Sequence, residues 1–234
     1  MRTIPLTHSL LQHWEQLTYL EAALLAHPEA APLAQPVTET LESFPAIRDL
    51  DLQTRRTIVQ ARAHGSVADA GLDEALREVH SNTLHLTRQD RSAKHYRSLF
   101  PNALAAHIRH ALARQVEVTR ETRAQLQLSL YEQEFRAEQE ALLDPALEAG
   151  EGALEERKSA EFARVEGRMA VDAWKEEVNA VRLSVYAQLL TLAAKARRKR
   201  SWANSFFPTP PRRSSARAFE ELEQQDEPAL EPEA

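Results

Sequence analysis

No cysteine occurs among the 234 residues, which removes disulfides, thiolate zinc sites and cysteine nucleophiles together. Glycine is nearly as scarce: five residues, Gly65, Gly71, Gly150, Gly152 and Gly167, are scattered along the chain. So few argue against a sheet protein with many tight turns, and neither a GxGxxG nor a Walker-type phosphate loop is present. No apolar run is long enough to span a bilayer. The amino terminus also lacks a charged n-region followed by an apolar h-region, so the expectation is a soluble, cytoplasmic protein. Lysine is sparse too, five against 24 arginines, a bias that reads as the background of a GC-rich, bacterial-type genome.

What is there is helical. With 43% apolar residues the chain can bury a core, and one helical domain over residues 1–207 with a tail over 208–234 fits better than two globular domains. Between Ala153 and Arg200 there is no proline and one glycine. Val171, Trp174, Val178, Val181, Val185 and Leu192 form one stripe at three- and four-residue steps, with Gln188 in the remaining slot and Leu189 beside it. A long amphipathic helix with a buried seam follows.

The first helix is predicted over Leu6 to Ala26 and ends at His27-Pro28. Pro28, Pro32 and Pro36 read as an extended connector, and Thr38 with Glu39 and Glu42 as a helix start that Pro45 interrupts. A helix over about Arg48 to Ala63 is closed by His64-Gly65-Ser66. The next, carrying Leu72, Leu76, Val79, Thr83 and Leu86, runs up to Phe100 and the break at Pro101. Asn102 then caps a helix running to about Leu143. With Asp144-Pro145, Gly150 and Gly152 as a turn, the spacing predicts a long antiparallel hairpin over residues 102–200 beside short N-terminal helices over 6–100. The fold class is therefore an all-α multi-helix bundle built on that hairpin. Its C-terminal tail, proline- and arginine-rich and then acidic from Phe219 to Ala234, is expected to be disordered.

Charge is the most informative functional feature. Arg88, Arg91, Lys94, Arg97, Arg109 and Arg114 lie in a basic stretch with His85, His95, His107 and His110 interleaved, and Lys195, Arg197, Arg198, Lys199 and Arg200 form a second. Glu132, Glu134, Glu138, Glu140, Glu151, Glu155 and Glu156 belong to an acidic stretch. A hairpin would bring the acids together at its tip and both basic sets to the opposite end. Such cations bind a polyanion through phosphate contacts, or simply complement the helix macrodipole at a C-terminus. The Arg88–Arg97 stretch reads either as a small-anion site or as an ion-pair belt holding two helices.

Trp202, Phe206 and Phe207 either anchor an interface or fold back over the end of the bundle. His107 and His110 have metal-ligand spacing but no accompanying Glu-x-x-His or HExxH, and solvated or hydrogen-bonded histidines are the alternative. Pro208 to Arg213 matches a proline-rich ligand pattern and also reads as a linker. No convergent acid, base and nucleophile can be assigned, and Glu42, Asp49 and Asp51 have no located partner, so no catalytic residue, metal or cofactor is named. The reading is a non-catalytic helical scaffold or assembly subunit that self-associates, as a homo-oligomer, or binds a protein partner. The alternative is a nucleic-acid-binding protein that uses the basic end and has the acidic tail as an internal competitor.

Overall fold

A computed structural model describes residues 3–128 and 130–208. Its helices are α1 (Leu10–Leu25), α2 (Gln35–Leu86), α3 (Lys94–Leu99), α4 (Leu112–Leu126), α5 (Gln133–Lys195) and α6 (Arg200–Asn204), with short 3-10 turns at Ala31–Leu33 and Leu104–Ala106. The fold is an all-α bundle, and no strand occurs among the described residues. No described helix is long and apolar enough to cross a membrane. The proline-arginine run and the acidic end, from 209 onward, lie outside the described residues.

The chain divides into two compact units, a discontinuous one of Met1–Arg48 with Val171–Ala234 and a contiguous one of Asp49–Ala170. In the discontinuous unit α1 starts with a reciprocal cap. Ser9 Oγ accepts from the Gln12 amide at 3.1 Å, and Gln12 Oε1 accepts from the Ser9 amide at 3.0 Å. Leu17, Leu20 and Leu24 then meet Phe44, Val178, Val185 and Leu189 in one core. Trp14, Phe44 and Trp174 form a row of rings with centroids 5.5 and 5.4 Å apart. Phe206 and Phe207 are buried in that core with Trp202 packed against it, so the C-terminal aromatics do fold back over the bundle.

In the contiguous unit α2 and α5 run antiparallel. As α2 advances from Asp51 through His64 to Asn82, its partners on α5 recede from Arg164 through Glu156 to Gln139, at 2.8, 2.8 and 3.0 Å. Small residues recur every seven positions along the seam. Thr54, Ala61, Ala68 and Ala75 on one side and Ala153, Ala160 and Gly167 on the other are all buried. A seven-residue repeat keeps one stripe facing a partner, and small side chains let the backbones approach closely.

The expected hairpin over 102–200 is not where the chain turns, because α5 runs unbroken through Pro145, Gly150 and Gly152. A proline inside a helix removes one hydrogen bond and frees the carbonyl four residues back. Pro145 and Ala141 are both exposed, so water can reach that carbonyl. Gly150 is there for contact rather than for a turn: a Cβ on it would lie 2.8 Å from Val116 Cγ2 and 2.9 Å from Leu72 Cδ1. Likewise α2 continues through Pro45 and Gly65, where breaks were expected. The true interruptions fall between Leu86 and Lys94, inside the helix expected up to Phe100, and in the predicted 102–143 helix. Arg109 has φ 68°, and the segment after α4 is pinned to α3, with His95 Nε2 3.0 Å from the Leu130 carbonyl and the Tyr131 hydroxyl on the His95 carbonyl. The partner of α5 is thus α2, and α4 is a third helix laid against the pair.

Substitutions at glycine separate these roles. Gly167→Leu, whose Cβ alone would lie 2.8 Å from Thr54 Cγ2, is expected to destabilise the chain by about 1–3 kcal/mol through overpacking. Gly71→Ala and Gly152→Ala, with nothing within 4 Å of the added carbon, should each stabilise by about 0.5–1 kcal/mol. Urea denaturation followed by circular dichroism reads both; equal effects at the three positions would contradict the close-packed seam.

Candidate functional site

The structure redistributes the charged residues named from sequence. Arg88, Arg91, Lys94, Arg97, Arg109 and Arg114 belong to the contiguous unit, and Lys195, Arg197, Arg198, Lys199 and Arg200 to the discontinuous one. The latter set meets the connector before α2 rather than the start of a 102–143 helix. Arg198 donates to Glu29 at 3.0 Å, approaches His27 at 3.3 Å and lies 4.8 Å over the Trp202 ring. Arg200 donates to the Tyr186 hydroxyl at 3.1 Å. Lys195, Arg197 and Lys199 are exposed.

Arg88 and Gln89, both at positive φ, form the turn that ends α2, and Arg88, Arg91, Lys94 and Arg97 are exposed around it. Asp90 in that turn is held below the usual carboxylate range, first by the Ser92 hydroxyl and backbone amide and to a lesser extent by Arg97. Arg114 pairs with Glu117 at 3.0 Å and Glu121 at 3.3 Å.

The acidic residues form no tip. Glu134, Glu138 and Glu140 lie in the first two turns of a continuous α5, with Glu132 just before it. Glu151 comes 11 residues, about 16 Å, beyond Glu140 along the same axis. Glu151 accepts from Arg120 at 2.6 Å, Glu155 is 3.8 Å from Lys158, and Glu156 is 2.8 Å from His64.

His107 and His110 do not converge on a ligand. His107 packs its ring 5.3 Å from that of Phe100, and His110 Nε2 lies 3.0 Å from the Ala106 carbonyl. No group of three or more metal-ligating side chains occurs among the described residues.

Two features escaped the sequence reading. The first is a polar lane on α5 in the discontinuous unit. Asn179 grips the Ile4 backbone from both sides, at 2.8 and 2.9 Å, and Lys175 Nζ donates to the Leu6 carbonyl at 2.9 Å. Arg182, 4% exposed, donates to Gln16 at 3.2 Å and lies 5.7 Å from the Phe207 ring centre. Burial lowers its pKa to about 10, so it stays charged at neutral pH. The signal was two cations seven residues apart in the row of Leu189, beside the apolar stripe of a long helix. These side chains tie the N-terminal segment and the C-terminal aromatics to α5, and the guanidinium is too closely enclosed to receive a ligand.

The second is an open face of the contiguous unit. From Gly65 onward one side of the helix pair is covered by α4, with Leu112 3.6 Å from a Cβ on Gly65 and Val116 over Gly150, while Val67 on another side is 73% exposed. Before that level, over residues 49–62 and 157–170, large apolar side chains face outward. Leu52, Val59, Phe162, Val165 and Met169 are 58%, 62%, 64%, 58% and 67% exposed. Phe162, Val165 and Met169 are spaced i, i+3, i+7 and so share one helix face. Continuing the Trp174 stripe backward by sevens reaches Gly167, Ala160 and Ala153, which leaves these three outside the seam. Farther along, a groove of about 550 Å³ has a floor of Ala68, Gly71, Ala149, Gly152 and Ala153, with Val67 in its wall and the His64–Glu156 pair beside it.

Burial also sets the pH response. His13, fully buried on α1, and His80 and His107 in the contiguous unit all have pKa values lowered chiefly by desolvation. The unfolded chain takes up protons below about pH 6.5 that the fold resists, so stability is full above that pH and falls as pH drops through it. The urea midpoint is expected to decrease between pH 7.5 and 5.5, and His13→Gln to flatten part of that slope; a midpoint independent of pH over this range would contradict the assignment.

No protein-family model, curated protein or solved structure matches this chain.

Proposed function

We propose that the protein is a non-catalytic helical assembly module whose contiguous unit binds a helix of a partner chain along the uncovered outer face of α5. One observation carries this reading: Phe162, Val165 and Met169, each more than half exposed, share one face of α5. Concentrated exposed apolar area is the mark of an interaction surface, whereas single exposed apolar residues are ordinary. The unit also already accepts a helix, since α4 packs on the same pair through Leu112 and Val116. An amphipathic helix laid in a groove is a common mode of recognition, read as apolar anchors at i, i+3 or i+4 and i+7. Over residues 157–170 the available length is about 20 Å, four turns of a docked helix.

The experiment is an unbiased selection of displayed helical peptides against the full chain. Enriched sequences should carry apolar residues at helical spacing. Their affinity should fall about tenfold on Phe162→Ser or Val165→Ser, the size of loss expected from truncating one central anchor. Failure to enrich any helical pattern, or enrichment indifferent to both substitutions, would refute the reading.

A further inference from the structure

The corner between α5 and α6 collects positive charge that the fold barely offsets. Lys195, Arg197, Arg198, Lys199 and Arg200 fall within six residues, and among the described residues Glu29 is the carboxylate that pairs with them, accepting from Arg198 at 3.0 Å. Five cations less one acid leave a local surplus of four. Lys195, Arg197 and Lys199 are exposed and make no ion pair among the described residues. Four chain steps separate Lys195 from Lys199, about 14 Å at most, so the three charges share one patch. The α5 macrodipole does not account for them. It amounts to about half a negative charge and fades within the last turn, where Lys195 already lies. Arg197, at φ 54°, and Lys199 follow after the helix has closed, with the Arg197 and Arg198 amides bonded to the Ala194 and Ala193 carbonyls at 3.2 and 2.8 Å.

The chain itself carries the complement. Residues 219–234 hold seven acids and no cation. With Arg212, Arg213 and Arg217 counted, residues 209–234 carry seven negative charges less three positive, a net of -4 that matches the corner. The Phe207 ring lies 5.6 Å from that of Tyr186, whose hydroxyl accepts from Arg200 at 3.1 Å, so the described chain departs beside the corner. The 11 steps from Pro208 to Phe219 reach at most about 40 Å. So short a tether holds a segment at an effective concentration of about millimolar, where exposed ion pairs too weak to recruit a free partner suffice. We propose that residues 219–234 dock on this corner of their own chain, pairing carboxylates with Lys195, Arg197 and Lys199 and closing the patch to other polyanions. The contact is independent of the helix-binding reading, since it lies wholly within the discontinuous unit.

With no cysteine in the chain, Ala229→Cys gives the full-length protein a single position for a nitroxide label. Amide signals of residues 195–199 should lose at least about half their intensity to the label at about 0.05 M salt and recover it at about 1 M, where the screening length falls to about 3 Å. The tail variant E220Q/E221Q/E223Q/D226N/E227Q gives the loss that tethering alone produces. The corner variant K195Q/R197Q/K199Q should match it, with thermal melts confirming that both fold. A loss in the unaltered sequence no greater than in the tail variant, or one that survives the corner variant, would overturn the proposal. So would a DNA duplex that shifts these amides as far in the unaltered sequence as in the tail variant, because the corner would then stand open. Broadening of an isotope-labelled chain by a spin-labelled second copy would assign the segment to a neighbouring molecule and overturn docking within one chain.

Discussion

Everything in the contiguous unit depends on how closely two helix backbones can approach. Thr54, Ala61 and Ala68 face Ala153, Ala160 and Gly167, and the space left at Gly167 is too small for one methyl group without displacing Thr54. A seam of such small residues gives extensive backbone contact but removes little apolar area from water per turn. The pair therefore gains from a further helix on its flank. Where α4 supplies one, Leu72, Leu76, Val79 and Leu126 are fully buried. Where none lies, the same two helices present Leu52, Val59, Phe162, Val165 and Met169 to solvent. The candidate surface follows from the packing.

Much of the architecture was legible because it rests on periodicity. The Trp174 stripe and the first helix follow from apolar spacing, and the aromatic cover at Trp202, Phe206 and Phe207 was one of the two arrangements that large aromatics allow. The misplaced hairpin has two causes: Pro145, Gly150 and Gly152 were read as breakers by local propensity, and the turns at Arg88-Gln89 and Arg109 fall on residues that neither proline nor glycine marks. A proline on an exposed helix face loses one bond that water can replace. Glycine at a close contact between helices serves packing and not turning. Sequence marks both residues as breakers, since neither the distant Val116 nor Thr54 is visible beside them. The charge clusters failed for the same reason, their expected convergence having been inferred from the hairpin.

The discontinuous unit relies on directional contacts as well as apolar burial. Apolar stripes alone tolerate sliding by a turn, whereas Asn179 bonded to both the amide and the carbonyl of Ile4 permits one register. Lys175 on the Leu6 carbonyl and Arg182 on Gln16 repeat the device along the same side of α5. The cost is a buried guanidinium whose Nε and Nη1 have no protein partner among the described residues. Enclosing those groups without full compensation lowers stability, and specificity of docking is what the unit gains in return.

Splitting one unit around the other also has a consequence during translation. The ribosome delivers Leu17, Leu20, Leu24 and Phe44 early, yet Val178, Val185 and Leu189, which complete their core, are made more than 120 residues after Arg48. At about 5–20 residues per second that is a delay of about 6–25 s. Residues 49–170 emerge as one uninterrupted piece and can fold within that interval, while the nascent N-terminal helix waits with its leucines unprotected. This is the period in which a chaperone would find most to hold.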